Sequence, residues 1–193
     1  MAVSKPEGVR AAVLELANKL GKPVVIYIKD EGYMTVDIAK SLVNAGVVSW
    51  IKYAVVRQDP AHDPLLEALV KEVPTELIVS GIGEQPAIIH WRKFGVHAFT
   101  AGCVCVAPNR SQQMLQALQN TDFDKAEAIR EKFLPLEDLR NAHGPIPVLH
   151  HAVKLAGIAD TGPMLPLLGD LDADKQRAIE GAAKATLDWS REC

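Results

Sequence analysis

Cysteine is scarce: Cys103, Cys105 and Cys193 are the whole supply. An odd count without framework spacing excludes a disulfide-built secreted scaffold, so a reducing, cytoplasmic setting is the expectation. No apolar run approaches the roughly 18 residues of a membrane span. The N-terminus has neither the charged nor the apolar block of a signal peptide. Basic clusters are missing too, with 21 Lys+Arg against 24 Asp+Glu and a net charge of -3. Neither nucleic acid nor a membrane is therefore expected as a partner. There is no internal repeat, no low-complexity segment and no Ser/Gly-rich linker that would release a free second domain. What is there is a 193-residue chain, 48% apolar and 23% charged, suited to one soluble domain or one domain plus an extension.

Hydrophobic periodicity divides the chain into alternating elements. Val9, Val13, Leu16, Ala17 and Leu20 carry helical spacing, with Ser4 as N-cap and Gly21 as stop. Pro23 to Ile28 reads as a buried strand, Thr35 to Ala45 as a helix, and Val47 to Val56 as a second strand. His62 to Lys71 is helical, Glu76 to Ser80 a strand, Glu84 to Phe94 a helix, Val96 to Gly102 a strand and Pro108 to Gln119 a helix. Strands alternating with helices imply parallel pairing and right-handed crossovers. An open doubly wound sheet and a portion of an eight-stranded barrel both fit. The open sheet's usual glycine-rich turn is missing, because Tyr27 is followed by Ile28-Lys29-Asp30. After Asn120 the strands stop. Asp122 to Asn141, Val148 to Ala156 and Asp172 to Trp189 read as helices, the last with Asp172 as N-cap. The expected division is therefore a barrel part over residues 1-120 and a helical extension over 121-193 packed on it.

The second strand is the unusual one. Val47-Val48-Ser49-Trp50-Ile51-Lys52-Tyr53-Ala54-Val55-Val56 reads as a buried strand, yet Lys52 sits in its middle. Desolvation disfavours an ammonium, so a lysine held in an apolar pocket has more nucleophilic amine and can attack a carbonyl to form a Schiff base. Two plainer readings stand beside this. Lys52 could guard an edge strand against pairing, or its stem could snorkel to the surface.

Several short segments then align in order: Pro23-Val24-Val25-Ile26-Tyr27, Trp50-Ile51-Lys52, Ser80-Gly81, Gly95-Val96-His97-Ala98, Val106-Ala107-Pro108 and Gly144-Pro145-Ile146-Pro147-Val148. The series resembles the dihydrodipicolinate synthase / N-acetylneuraminate lyase family, class I aldolases on a (β/α)8 barrel with a C-terminal helical extension. The resemblance implies that these strands are equivalent to strands five to eight, a partial TIM barrel. It implies Lys52 as the Schiff-base lysine and Tyr27 as the proton relay, with Gly81 and Thr100 shaping the pocket. It further implies a lyase of aldolase or dehydratase type acting on a 2-oxo acid such as pyruvate or a keto-deoxy sugar acid. No metal or organic cofactor is needed, because the imine is the electron sink. A homo-oligomer is the implied assembly.

The departures are specific. A closed barrel of this kind takes typically about 250 residues, and the counterparts of strands one to four are absent, together with the Gly-Thr-Thr-type loop that holds the substrate carboxylate. A truncated chain is the expectation, Met1 standing before what is otherwise an internal helix. After Tyr27 the family's Asn-x-Pro and arginine are replaced by Ile28-Lys29-Asp30-Glu31-Gly32-Tyr33, which argues against the synthase reaction itself. Lys29, on the same face as Tyr27, is the candidate substitute for the anion contact, beside the plainer reading of a solvated loop lysine. Two alternatives remain: a non-catalytic half-barrel that only associates with a partner through its open edges, and a doubly wound binding protein in which Lys52 is structural. Cys103-Val104-Cys105 is expected to be extended with both thiols on one face, lining the rim rather than holding zinc. Adjacent His150 and His151 do not form a two-histidine metal grip on one helix face.

Overall fold

The computed structural model describes residues 5–164 and 168–192. The chain divides into two compact units, one of residues 5–82 and 86–100, the other of residues 83–85 and 101 onward.

In the first unit a parallel sheet of order β1-β2-β3 is built from β1 (Val24–Ile28), β2 (Val48–Tyr53) and β3 (Ile78–Ser80). Helices α1 (Pro6–Leu20), α2 (Val36–Asn44), α3 (Pro64–Glu72) and, from residue 86 on, α4 (Glu84–Phe94) alternate with the strands; the first two residues of α4 belong to the second unit. The helices begin and end for local reasons. Thr35 Oγ1 accepts from the Ile38 N–H at the start of α2, and the Asp63 carboxylate accepts from the Leu66 N–H at the start of α3. Gly21 takes φ 63 at the end of α1, a left-handed conformation that costs glycine least. The Ser4 cap expected for α1 lies outside the described residues; Lys5 occupies the cap position and gives no side-chain bond. Ile26, Ile28, Ile51, Tyr53 and Ile78 bury the sheet face that meets Leu42, Leu66, Leu69 and Phe94. Strand residues alternate, so Val25, Tyr27, Trp50 and Lys52 point the other way.

The expected fourth strand over Val96 to Gly102 does not form. Its segment touches the sheet through one bridge, Ser80 to Phe99, made by Ser80 N–H to Ala98 O (2.9 Å) and Thr100 N–H to Ser80 O (2.8 Å). The reason is the brevity of β3. Thr75–Leu77 forms a 3-10 turn where strand was expected, leaving three residues to pair with.

The second unit is helical. It comprises α5 (Pro108–Gln119), α6 (Phe123–His143), α7 (Pro145–Leu155) and α8 (Ala173–Arg191). Asp122 and Asp172 cap α6 and α8 through the Lys125 and Lys175 N–H groups. Met114, Leu118, Ile129, Phe133, Leu136, Val148, Ile179 and Ala183 form its core. The boundary expected at residue 120 falls inside this unit, because α5 buries Met114, Ala117 and Leu118 and packs on α6. Cys103–Cys105 is a 3-10 turn rather than an extended segment, so the two thiols part: Cys103 is buried and Cys105 exposed.

Candidate active site

Parallel pairing sets Tyr27 opposite Lys52 and Lys52 opposite Val79, one row across three strands. Lys52 therefore lies on the central strand, which rules out the edge-guard reading. Its Nζ stands 4.9 Å from the centre of the Tyr27 ring, a cation–π distance. Gly81 completes this corner. A Cβ at position 81 would stand 2.7 Å from Lys52 Cγ and 2.8 Å from the Tyr53 carbonyl oxygen, so only glycine lets the lysine stem lie where it does. The amine is not enclosed as the buried-strand pattern suggested. Lys52 is half-buried, and Tyr27 retains 46% of its exposure. Thr100 sits at the end of the same sheet, held by its N–H to the Ser80 carbonyl, with Oγ1 buried and without a hydrogen-bond partner among the described residues. Lys29 is exposed just past the end of β1. Tyr27, Lys52 and Gly81 are thus brought together, and Thr100 lies on the bridge beside β3; Lys29 lies exposed beyond them. A groove of about 450 Å³ in this unit is lined by Gly8, Ala12, Leu16, Val24 and Val25, away from Lys52.

Directly behind Lys52 lies a cluster that periodicity did not reveal. Tyr53 points into the helix-covered face, and its hydroxyl donates to both Asp63 oxygens at 2.7 and 2.8 Å. Arg57 Nη2 donates to Asp63 Oδ1 at 2.9 Å and pairs with Glu31 at 2.5 Å. Burial alone would raise the Asp63 pKa, but Arg57, the Leu66 N–H and the Tyr53 hydroxyl outweigh it and hold the carboxyl below its ordinary value. The Tyr53 phenol moves upward, through burial first and then its bond to the Asp63 anion. This network joins the loop after β1, the end of β2 and the start of α3, the rim that carries Tyr27 and Lys52. One signal could have found it: Asp63-Pro64 reads as an N-cap followed by proline in the first turn. Close by, His90 Nδ1 and Ser80 Oγ are 2.9 Å apart, and burial lowers the His90 pKa to about 4.

Among the described residues no group of three or more His, Cys, Asp or Glu side chains could hold a metal ion, and no helix is long and apolar enough to cross a membrane. His150 and His151 meet edge to face, 5.8 Å between ring centres, with His150 Nε2 beside the Gly162 carbonyl (3.1 Å).

Comparison with known proteins decides the family. The model of the dihydrodipicolinate synthetase family matches residues 5–186. The chain belongs to the dihydrodipicolinate synthetase family. The dihydrodipicolinate synthase of Bacillus clausii superposes with a TM-score of 0.82 at 24% identity, covering 96% of this chain and 62% of that one. That of Oceanobacillus iheyensis gives 0.82 at 23% identity, covering 100% and 62%. The enzyme of Cyanidioschyzon merolae, solved with lysine bound, gives 0.81 at 15% identity, covering 96% and 62%. Curated protein sequences gave no match. The chain thus has the α/β fold of dihydrodipicolinate synthetase family members and spans about 62% of the length of these solved synthases.

Proposed function

We propose that the chain carries the imine-forming part of a (β/α)8 lyase, its strands equivalent to strands five to eight of the barrel. Lys52 is the nucleophile, and the substrate is a 2-oxo acid such as pyruvate or a keto-deoxy sugar acid. The observation that carries this reading is the register of Tyr27 against Lys52 on neighbouring parallel strands, with the amine 4.9 Å from the phenol ring. In a parallel barrel the reacting groups stand at the carboxyl ends of adjacent strands. The Lys52 amine adds to the 2-oxo carbon, and Tyr27 hands a proton to the resulting carbinolamine oxygen, which leaves as water. The imine then accepts the electron pair released when a carbon–carbon or carbon–oxygen bond of the substrate breaks. Gly81 keeps the lysine stem in place, Thr100 shapes the pocket, and Lys29 is the group offered to the acid's polar end.

The exposed apolar residues of this face favour a second reading. Val25 and Tyr27 remain 45% and 46% exposed, as expected if the chain alone is non-catalytic and its sheet is covered by a partner. Borohydride trapping separates the two. The chain is incubated with pyruvate, reduced and digested, and the peptide bearing Lys52 is weighed. The first reading requires an adduct at Lys52 that Lys52→Met abolishes and Tyr27→Phe slows. An adduct found only in a version extended at its N-terminus to the length of the solved synthases would support truncation, the chain alone being non-catalytic. Absence from both would refute the imine chemistry.

A further inference from the structure

The second unit buries two carboxyl groups against each other. Glu84, the first residue of α4, and Glu137 of α6 are both wholly inaccessible to solvent. The Glu84 backbone N–H donates to Glu137 Oε1 at 3.1 Å, so Glu137 caps the first turn of that helix across 53 residues of sequence. Arg140 stands one turn along α6, its Nη2 3.5 Å from Glu137 Oε1. It also donates to Asn141 Oδ1 at 3.1 Å. Gln85 extends the contact, donating to Asp138 (2.8 Å) and accepting from Asn141 (2.9 Å). The packing leaves no slack. A Cβ on Gly83 (φ +117) would come within 2.1 Å of Glu137 Oε1 and 2.8 Å of Arg140 Nη1, and one on Gly102 within 3.3 Å of the same guanidinium nitrogen.

The charges in this cluster do not balance. Arg140 supplies one guanidinium for two carboxyls, and Glu84 Oε1, Glu84 Oε2 and Glu137 Oε2 are buried without a hydrogen-bond partner among the described residues. Burial and mutual repulsion each favour a proton on one of two neighbouring buried carboxylates. One proton held between them leaves a single negative charge facing Arg140 and supplies a missing donor.

We propose that Glu84 and Glu137 share one proton at neutral pH and that this proton fastens the start of α4 to α6, making the junction a pH-responsive element of the second unit. The inference stands apart from the lyase reading and uses none of its residues. Burial raises both carboxyls above their ordinary range, and for Glu137 the Glu84 charge adds to it. The other groups bearing on the pair do not replace the proton. The Cys103 thiol is itself pushed upward by burial and then by both glutamates. Cys105, although exposed as a residue, has its thiol raised by the protein around the sulfur and by Glu84, and the Ser111 hydroxyl of α5 lies beside Glu84. Arg130 also feels the Glu137 charge, but its guanidinium is engaged by Glu127. Elsewhere in the unit, Arg110 is held by the Trp189 carbonyl; His151 faces Asp170, and Lys154 faces Asp160. The inward residues of α8, Ile179, Ala183 and Thr186, are uncharged. The sign follows from linkage. A carboxyl raised in the folded state holds its proton where the unfolded chain has lost it, so stability falls as pH rises from the ordinary 4.5 through the raised folded range and then levels off.

Infrared spectroscopy of the full chain reads the proton directly. At pH 6.5, where exposed carboxyls are ionised, the wild type should show one carboxylic-acid carbonyl band that disappears as pH is raised further. The band should be absent from Glu84→Gln and from Glu137→Gln. Thermal midpoints between pH 5 and 9 give the second arm. The difference between wild type and either variant, in which the histidine contributions cancel, should shift steadily in the variant's favour as pH rises. A folded wild type without the band at pH 6.5, a band that survives in both variants, or a difference that does not move with pH would each overturn the proposal. If one variant fails to fold, the wild-type band and the other variant still decide.

Discussion

Replacing Asp63 by alanine strikes the network behind Lys52, and its cost can be worked from the contacts. The substitution leaves the fully buried Tyr53 hydroxyl without its acceptor, which costs about 1–3 kcal/mol. It removes the cap of α3, worth about 1 kcal/mol. Arg57 keeps Glu31, so its loss is small. The sum is about 2–4 kcal/mol, or a thermal midpoint lower by roughly 10 °C for a chain of this size. Asp63→Asn keeps an acceptor and should cost less; Tyr53→Phe, which leaves Asp63 with Arg57 and Leu66, should cost least, about 1 kcal/mol. Thermal unfolding followed by far-ultraviolet circular dichroism, with Trp50 and Trp91 fluorescence reporting on the first unit, ranks the three. The pH dependence provides an independent check. Asp63 has a lowered folded pKa, so its contribution is present above its ordinary 3.8 and is lost as pH falls below that through the folded value. The gap between wild type and Asp63→Asn should therefore narrow below about pH 4. A cost under 1 kcal/mol for Asp63→Ala, or equal costs for Tyr53→Phe and Asp63→Ala, would refute the claim that the carboxylate is the hub of this cluster.

Gly83→Ala should destabilise by about 2–4 kcal/mol in chemical denaturation, because it combines a left-handed backbone with a Cβ driven into Glu137 Oε1 at 2.1 Å. His90, its pKa lowered to about 4 by burial, stabilises fully above its ordinary 6.5 and loses that contribution as pH falls from there to about 4. His90→Gln should flatten stability over that window, where wild type loses about 3 kcal/mol. Phe133→Ala, which empties a fully buried site 5.3 Å from the Trp189 ring, should cost about 3–5 kcal/mol and shift the Trp189 fluorescence.

Local chemistry is what the chain alone made legible. Helix α5 runs over Pro108–Gln119 and α4 over Glu84–Phe94, as their spacing indicates, and Asp172 caps α8 as its position indicates. These features depend on groups within four residues of one another, so they leave a periodic trace in the sequence. The alternation of strands also placed Tyr27 and Lys52 on one face, and the family match bears out the resemblance that named them as candidates. Tertiary structure decided the rest. Only pairing on both sides shows that β2 is the central strand, and only the brevity of β3 explains why Val96 to Gly102 does not form a strand. Asp63 reads as an ordinary cap until Tyr53 and Arg57 converge on it, and nothing in the spacing of Glu84 and Glu137 joins them until α6 brings one to the other. Contacts between distant residues arise from how whole elements pack, and a one-dimensional pattern has no term for a neighbour 53 positions away.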